Sequence, residues 1–153
     1  MRSLAAIFGL AALVLGCGSV QAASPSDLVA QTAANREIVK RFADLFYAQH
    51  KVRLAFETYA ATTYVQHSPG IADGRDAAIA VLEPMFSRPN FVVHIRRILV
   101  DGDMAAVMIH ADREGAAGGA LVDLFRLKDG KIVEHWDVNE RIPVQASNPH
   151  PFF

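Results

Sequence analysis

The stretch VDLFRLKDGKIVEHWD, Val122–Asp137, constrains this chain more than any other. Asp129-Gly130 between two alternating runs is the signature of a two-residue type I′ turn, in which both central residues take positive φ. Such a turn sets Lys128 opposite Lys131, and the register runs outward from there. Directly opposed residues share a face. One face is therefore expected to carry Leu127 with Ile132, Phe125 with Glu134, Asp123 with Trp136 and Leu121 with Val138. The other would carry Arg126 with Val133, Leu124 with His135 and Val122 with Asp137. The first set is mostly apolar and aromatic and should turn inward. The second mixes charge with aliphatics, as an outer or subunit-contacting face does. Asp123 then stands beside Trp136 on the inward face. A buried carboxylate costs stability unless it is hydrogen-bonded, and burial disfavours its charged form. A carboxyl so placed suits proton transfer near neutral pH. It equally suits a structural hydrogen bond to a backbone amide or a neighbouring side chain.

The hairpin closes a long β-rich half. Phe91–Val100 and Met104–Asp112 read as two further strands joined across Asp101-Gly102-Asp103, with 113–119 a Gly/Ala-rich loop. The preceding half reads as helical. Ile38, Phe42, Leu45 and Phe46 recur at helical spacing, with Arg36, Glu37, Lys40, Arg41 and Asp44 opposite. A short helix over Lys51–Tyr59 would bury Val52, Phe56 and Tyr59. Tyr64–His67 is a short extended piece stopped by Ser68-Pro69-Gly70. A third helix, about Asp76–Phe86, contains Pro84, which should bend or end it. Residues 24–34 form a polar lead-in, and 141–153 an irregular tail with Pro143, Pro149 and Pro151. Helices first and antiparallel strands after imply an α+β domain, its N-terminal helices packed on a strongly curved antiparallel sheet as a cone-shaped roll around a pocket. At 153 residues, 52% hydrophobic and 20% charged, the chain has material for one packed core. A net charge of −1 without a basic run argues against nucleic acid as a partner.

Residues 1–23 stand apart. Arg2 precedes an apolar run from Leu4 to Leu15, too short to span a bilayer, and small residues follow. Both Val20-Gln21-Ala22 and Gln21-Ala22-Ala23 fit a signal-peptide cleavage rule, so export to the periplasm or the exterior of a bacterium is expected. Cys17, the one cysteine, follows Val14-Leu15-Gly16, which loosely resembles a lipoprotein box. Cleavage after Ala22 or Ala23 is the better-formed alternative, and it leaves a mature protein with no cysteine and no lipid anchor.

Three motifs together carry a resemblance: YVQHSP at 64–69, DGRDAA at 73–78 and VDLFRLKDGKIVEHWDV at 122–138. They resemble the SnoaL-like polyketide cyclase group of the nuclear-transport-factor-two-like superfamily, over about 35–140. The resemblance implies a cone-shaped α+β fold, a pocket, pairing of subunits sheet to sheet, and an acid/base aspartate at Asp123. It also implies that His67 lies at the pocket mouth or wall. His94 and His110 each sit in an apolar strand, and a two-residue turn between the strands puts them on opposite faces, so one alone can point inward. Periodicity leaves the choice open, and the resemblance favours His110. Tyr64, Trp136 and Phe125 are expected to contact substrate, Trp136 as a flat stacking wall. His135 and Asp137 are expected outside. His110-Ala111-Asp112 and His135-Trp136-Asp137 each open like a two-histidine-one-carboxylate metal site, with His67 available as third ligand, but the spacing is unspecific. Neither a metal nor an organic cofactor is expected.

The functional expectation is a small exported enzyme that takes an apolar, carbonyl-bearing molecule. Asp123 would move a proton next to the carbonyl, assisted by His110 or His67, in an isomerisation, dehydration or aldol-type ring closure. The alternative is a periplasmic ligand-binding or accessory domain with the same pocket and no turnover.

Overall fold

The computed structural model describes residues 24–113, 116–150 and 152–153. The leader with its cleavage sites, and Cys17, lie outside the described residues.

The first helix, α1, spans Pro25–Ala43 and is continued by a π-helical turn, Asp44–Ala48. It starts ten residues ahead of the apolar periodicity that announces it at Asn35. A capping box explains the start. The Ser24 hydroxyl accepts from the Asp27 amide at 3.2 Å, and Asp27 Oδ2 accepts from the Ser24 amide at 3.2 Å. Pro25 at the first helical position adds a φ already suited to a helix. Its first turns are exposed on nearly every side, so they carry no apolar stripe. The polar lead-in is thus helix. The helix buries Val39, Phe42 and Ala43, and the π turn carries Phe46 and Tyr47 inward together. Helix α2, Val52–Tyr59, buries Val52, Ala55 and Phe56 at helical spacing. Helix α3, Arg75–Phe86, runs on for two residues past Pro84.

The five strands are β1 Ala60–Gln66, β2 Phe91–Asp101, β3 Met104–Arg113, β4 Ala116–Lys128 and β5 Lys131–Arg141, in sheet order β1-β5-β4-β3-β2. The helices cover one face of this open sheet, so the α+β architecture stands. Four strands form the expected antiparallel meander, and β1 joins its edge parallel to β5. The Gly/Ala-rich segment expected as a loop is largely strand: β4 already pairs from Ala116.

The opening turn forms as its sequence demands. Asp129 and Gly130 both take positive φ, 50° and 74°, and the pairs Lys128–Lys131 and Leu127–Ile132 follow. The register then shifts by one. Val133 is the extra residue of a β-bulge, so Arg126 faces Glu134, Phe125 faces His135, Leu124 faces Trp136 and Asp123 faces Asp137. A side-chain period of two means that one inserted residue exchanges the faces of everything beyond it. His135 and Asp137 therefore point toward the helices and Trp136 away from them, the reverse of the sequence expectation. The same device acts at Arg96, the extra residue between the pairs Ile95–Ile109 and Arg97–Met108. It brings His94 directly opposite His110 on one face, where simple parity separates them.

Packing between the layers is aromatic. The Phe42 ring centroid lies 5.3–5.4 Å from those of Phe46, Phe56 and Phe125, tilted or edge to face. At the far end Asn35 Nδ2 donates to the Gly102 carbonyl at 2.8 Å, and the Gly102 amide donates to Thr32 Oγ1 at 3.0 Å. These bonds fasten α1 to the β2–β3 turn.

Candidate functional site

Between the helices and the inner face of the sheet lies a cavity of about 110 Å³. Aromatic and aliphatic side chains make most of its wall, among them Phe86, Phe91, Leu82 and Met85. Its polar lining is gathered on one side: Tyr47, Tyr64, Gln66, Ser68, Asp123, His135 and Asp137.

Asp123 is only 7% exposed. The Tyr47 hydroxyl, delivered by the π turn, donates to its Oδ2. Its Oδ1 faces His135 Nε2 at 3.5 Å. The imidazole is held from both sides, with the Phe125 ring stacked at 5.0 Å and the Tyr64 ring at 6.2 Å. Its other nitrogen, Nδ1, lies 2.8 Å from Gln66 Oε1. That oxygen also accepts the Ser68 amide at 2.9 Å. A continuous chain thus runs Ser68–Gln66–His135–Asp123–Tyr47 across β1, β5, β4 and the π turn. Burial pushes the Tyr47 phenol well above its ordinary range, and the Asp123 charge adds to the rise. Tyr64 is raised well above its range for the same two causes, burial first. The Gln66 amide lies close enough to Tyr64 to oppose part of that rise, yet its Nε2 is buried with no hydrogen-bond partner. Both tyrosines are therefore held as neutral O–H donors.

The residues singled out from the sequence divide. Asp123, Tyr64 and Phe125 line the cavity. His67, His110 and Trp136 do not, and their expected pocket positions are corrected. Trp136 is turned out by the Val133 bulge. His67 follows the end of β1, stacks on Trp136 at 4.7 Å and meets Glu134 Oε1 at 2.8 Å, with 42% of its side chain exposed. His110 pairs with His94 on the outer face, 3.2 Å from Asp112 Oδ1, and its Nδ1 lies 3.0 Å from an Arg96 guanidinium nitrogen. Tyr47, Gln66, His135 and Asp137 were missed as site residues. His135 and Asp137 were hidden by the Val133 bulge, which has no local sequence mark; Tyr47 sits among apolar helix residues that look like plain core.

The His-x-Asp pairs do not assemble with His67. The two lie on opposite faces of the sheet, and among the described residues no group of three His, Cys, Asp or Glu side chains is arranged to hold a metal ion. The Arg96 donor on Nδ1 leaves a neutral His110 with its proton on Nε2, the nitrogen that a metal would need bare.

Comparison with known proteins places this geometry. The model of the SnoaL-like domain family matches residues 39–135, more than half of the chain. No curated protein matches the sequence. Among solved structures, an NTF2-like protein of unknown function from Mesorhizobium loti is 23% identical, with a TM-score of 0.64 over 72% of this chain and 93% of that one. A candidate SnoaL-like polyketide cyclase from a Jannaschia species is 23% identical, with a TM-score of 0.61 over 78% and 91%. A candidate ketosteroid isomerase from Kribbella flavida is 18% identical, with a TM-score of 0.61 over 79% and 85%. At these identities the likeness establishes the fold.

Proposed function

The chain belongs to the SnoaL-like domain family, and on that premise we propose that it is an enzyme of general acid–base chemistry next to a carbonyl. The observation that carries this reading is the Asp123 carboxyl in the cavity wall, one oxygen held by Tyr47 and the other facing His135. Asp123 Oδ1 removes a proton from the carbon beside the substrate carbonyl. The electron pair of the broken C–H bond moves to the carbonyl oxygen, giving an enolate. Protonated His135 Nε2 or the Tyr64 hydroxyl donates to that oxygen, where negative charge develops. Return of the proton from Asp123 to another carbon completes an isomerisation; in an aldol closure the enolate carbon attacks a second carbonyl, whose oxygen becomes an alkoxide and takes the proton back from Asp123. Nothing outside the chain is consumed in either step.

The lining also selects the substrate. Among its residues His135 alone can carry positive charge, whereas Asp123 and Asp137 are both carboxyls. A neutral apolar ketone or enone fits, and a carboxylate or phosphate is repelled.

Proton exchange tests this without knowledge of the natural substrate. With 1-tetralone in deuterium oxide, the protein should speed loss of the α-proton NMR signal, and Asp123→Asn should slow it by about a hundredfold or more, the scale of a lost general base. Asn is nearly isosteric, so the variant should melt within a few degrees of wild type. Binding of tetralone without accelerated exchange would make this a non-catalytic ligand-binding domain. Exchange that survives in a folded Asp123→Asn protein would place the chemistry elsewhere.

Two further proposals come from the sequence. Export should leave a mature chain lacking roughly 22–23 residues by intact mass; recovery of the full-length chain from the native host would sink it. Second, a homodimer is proposed through the outer sheet face, where Val122, Leu124 and Arg126 of the expected surface remain and the observed register adds Leu99, Trp136 and Val138. His135 and Asp137 no longer belong to that surface. Light scattering should give a dimer at micromolar concentration, and Leu124→Arg should give a monomer.

A further inference from the structure

We infer that Gln66 is a positioning residue which fixes His135 in the Nδ1–H tautomer, so that Nε2 is the proton-accepting nitrogen facing Asp123. This deepens the proposed acid–base reading and rests on it.

The Ser68 backbone amide lies 2.9 Å from the Gln66 side-chain oxygen, and an amide N–H can only donate. That settles which end of the Gln66 side chain is oxygen, since the flipped amide would set two donors against each other. The same oxygen lies 2.8 Å from His135 Nδ1. An amide oxygen can only accept, so Nδ1 carries a proton. The orientation leaves Gln66 Nε2 buried without a partner. Two bonds on the oxygen outweigh the one donor left unpaired, so the oxygen side governs how this amide sits. Neutral His135 therefore presents a bare Nε2 to Asp123 Oδ1 at 3.5 Å. One proton can lie between them. It makes either an imidazolium beside a carboxylate or an imidazole beside a carboxylic acid.

The consequence for the reaction is specific. After Asp123 has taken the substrate proton, His135 Nε2 with the opposite tautomer would offer a second N–H and no acceptor. With the tautomer held by Gln66, the nitrogen can donate as imidazolium and accept as imidazole, so the proton can pass between the pair while the substrate is held as enolate. The titratable groups that share the cavity wall with His135 are Asp123 from β4, Tyr64 from β1, Tyr47 from the π turn and Asp137 from β5 itself, and apolar Leu82 and Met85 of α3 line the same cavity. Gln66 is the group that meets Nδ1.

Long-range proton–nitrogen NMR of the imidazoles tests this directly. At about pH 9, where an ordinary imidazole is neutral, wild-type His135 should show a protonated Nδ1 and a bare Nε2. Gln66→Met removes the acceptor and should give a mixed or reversed tautomer, with tetralone exchange reduced about tenfold. Gln66→Glu keeps an acceptor and adds negative charge, so it should retain the tautomer, restore exchange and shift the pH profile of exchange upward by about one pH unit. A merely structural role moves neither the tautomer nor the profile. A protonated Nε2 in wild type overturns the inference, as does a tautomer unchanged by Gln66→Met. If Gln66→Met fails to fold, the wild-type spectrum and the Gln66→Glu profile still decide. Loss of exchange in Asp123→Asn beside an unaltered Gln66→Glu profile defeats this inference alone, whereas no exchange in wild type defeats the acid–base reading.

Discussion

The two faces of one sheet use the same residue types to opposite ends. On the inner face, His135 and Asp123 are each about nine-tenths buried, stacked and linked to single partners on either side. On the outer face, His94, His110 and Asp112 approach one another at 2.9 and 3.2 Å, but half of the His94 and Asp112 side chains is exposed to water. By contact distance the outer group is the tighter. Water nevertheless screens it and lets each member relax when another changes, so such pairs contribute little. Inside, a displaced proton or lost partner has no solvent to replace it. In this sheet, enclosure, and not the shorter ionic contact, separates the histidine placed for proton transfer from those that are not.

The largest effect is expected from exchanging the faces. Inserting one residue between Glu134 and His135, with the Arg126–Glu134 pair kept, would set His135 opposite Leu124 on the outer face and Trp136 opposite Asp123 in the cavity wall. All tetralone exchange should vanish, and the melting point should fall on the order of ten degrees, since several kcal/mol of packing are lost at about 4 °C for each. An insertion variant with wild-type melting and exchange would show that the register of this strand does not set the site.

A smaller effect is expected at Tyr47. Tyr47→Phe leaves Asp123 Oδ2 without its donor and should cost about 1–3 kcal/mol in chemical denaturation. The same residue sets an alkaline limit. Tyr47 and Tyr64 keep their protons in the folded state beyond the pH at which an unfolded tyrosine ionises. Their folded values are raised, so the stability they lend is complete below about pH 10 and lost as pH climbs above it. Phenolate absorbance at these two residues should therefore rise together with unfolding, and Tyr47→Phe should make the loss shallower. Early ionisation of both in the folded protein would contradict their enclosure. The least change belongs outside: Asp112→Asn should alter stability by within about 0.5 kcal/mol and leave exchange untouched. A large loss of exchange there would erase the distinction between the faces.

The element order, the type I′ turn and the inward place of Asp123 were legible because each rests on local chemistry: periodicity, Asp-Gly, and parity counted over the few residues after a turn. Two things hid the rest. Val133 and Arg96 occupy bulges, and nothing in Ile132-Val133-Glu134 or Ile95-Arg96-Arg97 distinguishes an unpaired residue from a paired one. One such residue misplaces every side chain beyond it, which accounts for His135, Asp137, Trp136 and the His94–His110 pairing together. The other obstacle is distance. The meeting of Tyr47 with Asp123 and of Gln66 with His135 joins residues 76 and 69 positions apart. Neither has a local pattern, because what brings them together is the packing of a helix on a sheet and the docking of an edge strand. The start of α1 could have been found from Ser24 and Asp27, where the capping box, not a buried stripe, defines the helix.

The parallel docking of β1 on β5 bears on when the site comes into being. The hairpin of β4 and β5 closes across two residues, and β2 and β3 close nearly as locally, so loop-closure entropy opposes them little. β1 must wait for the most C-terminal strand of the sheet before it has an edge to join. Gln66 reaches His135, and Tyr47 its carboxylate, only after nearly the whole domain has left the ribosome. A chain truncated before β5 has the helices, the β2–β3–β4 meander and Asp123, but not the imidazole and not the edge on which Gln66 is held. Synthesis thus yields a carboxyl without its imidazole until the last strand arrives, and the proposed proton transfer would require the completed fold.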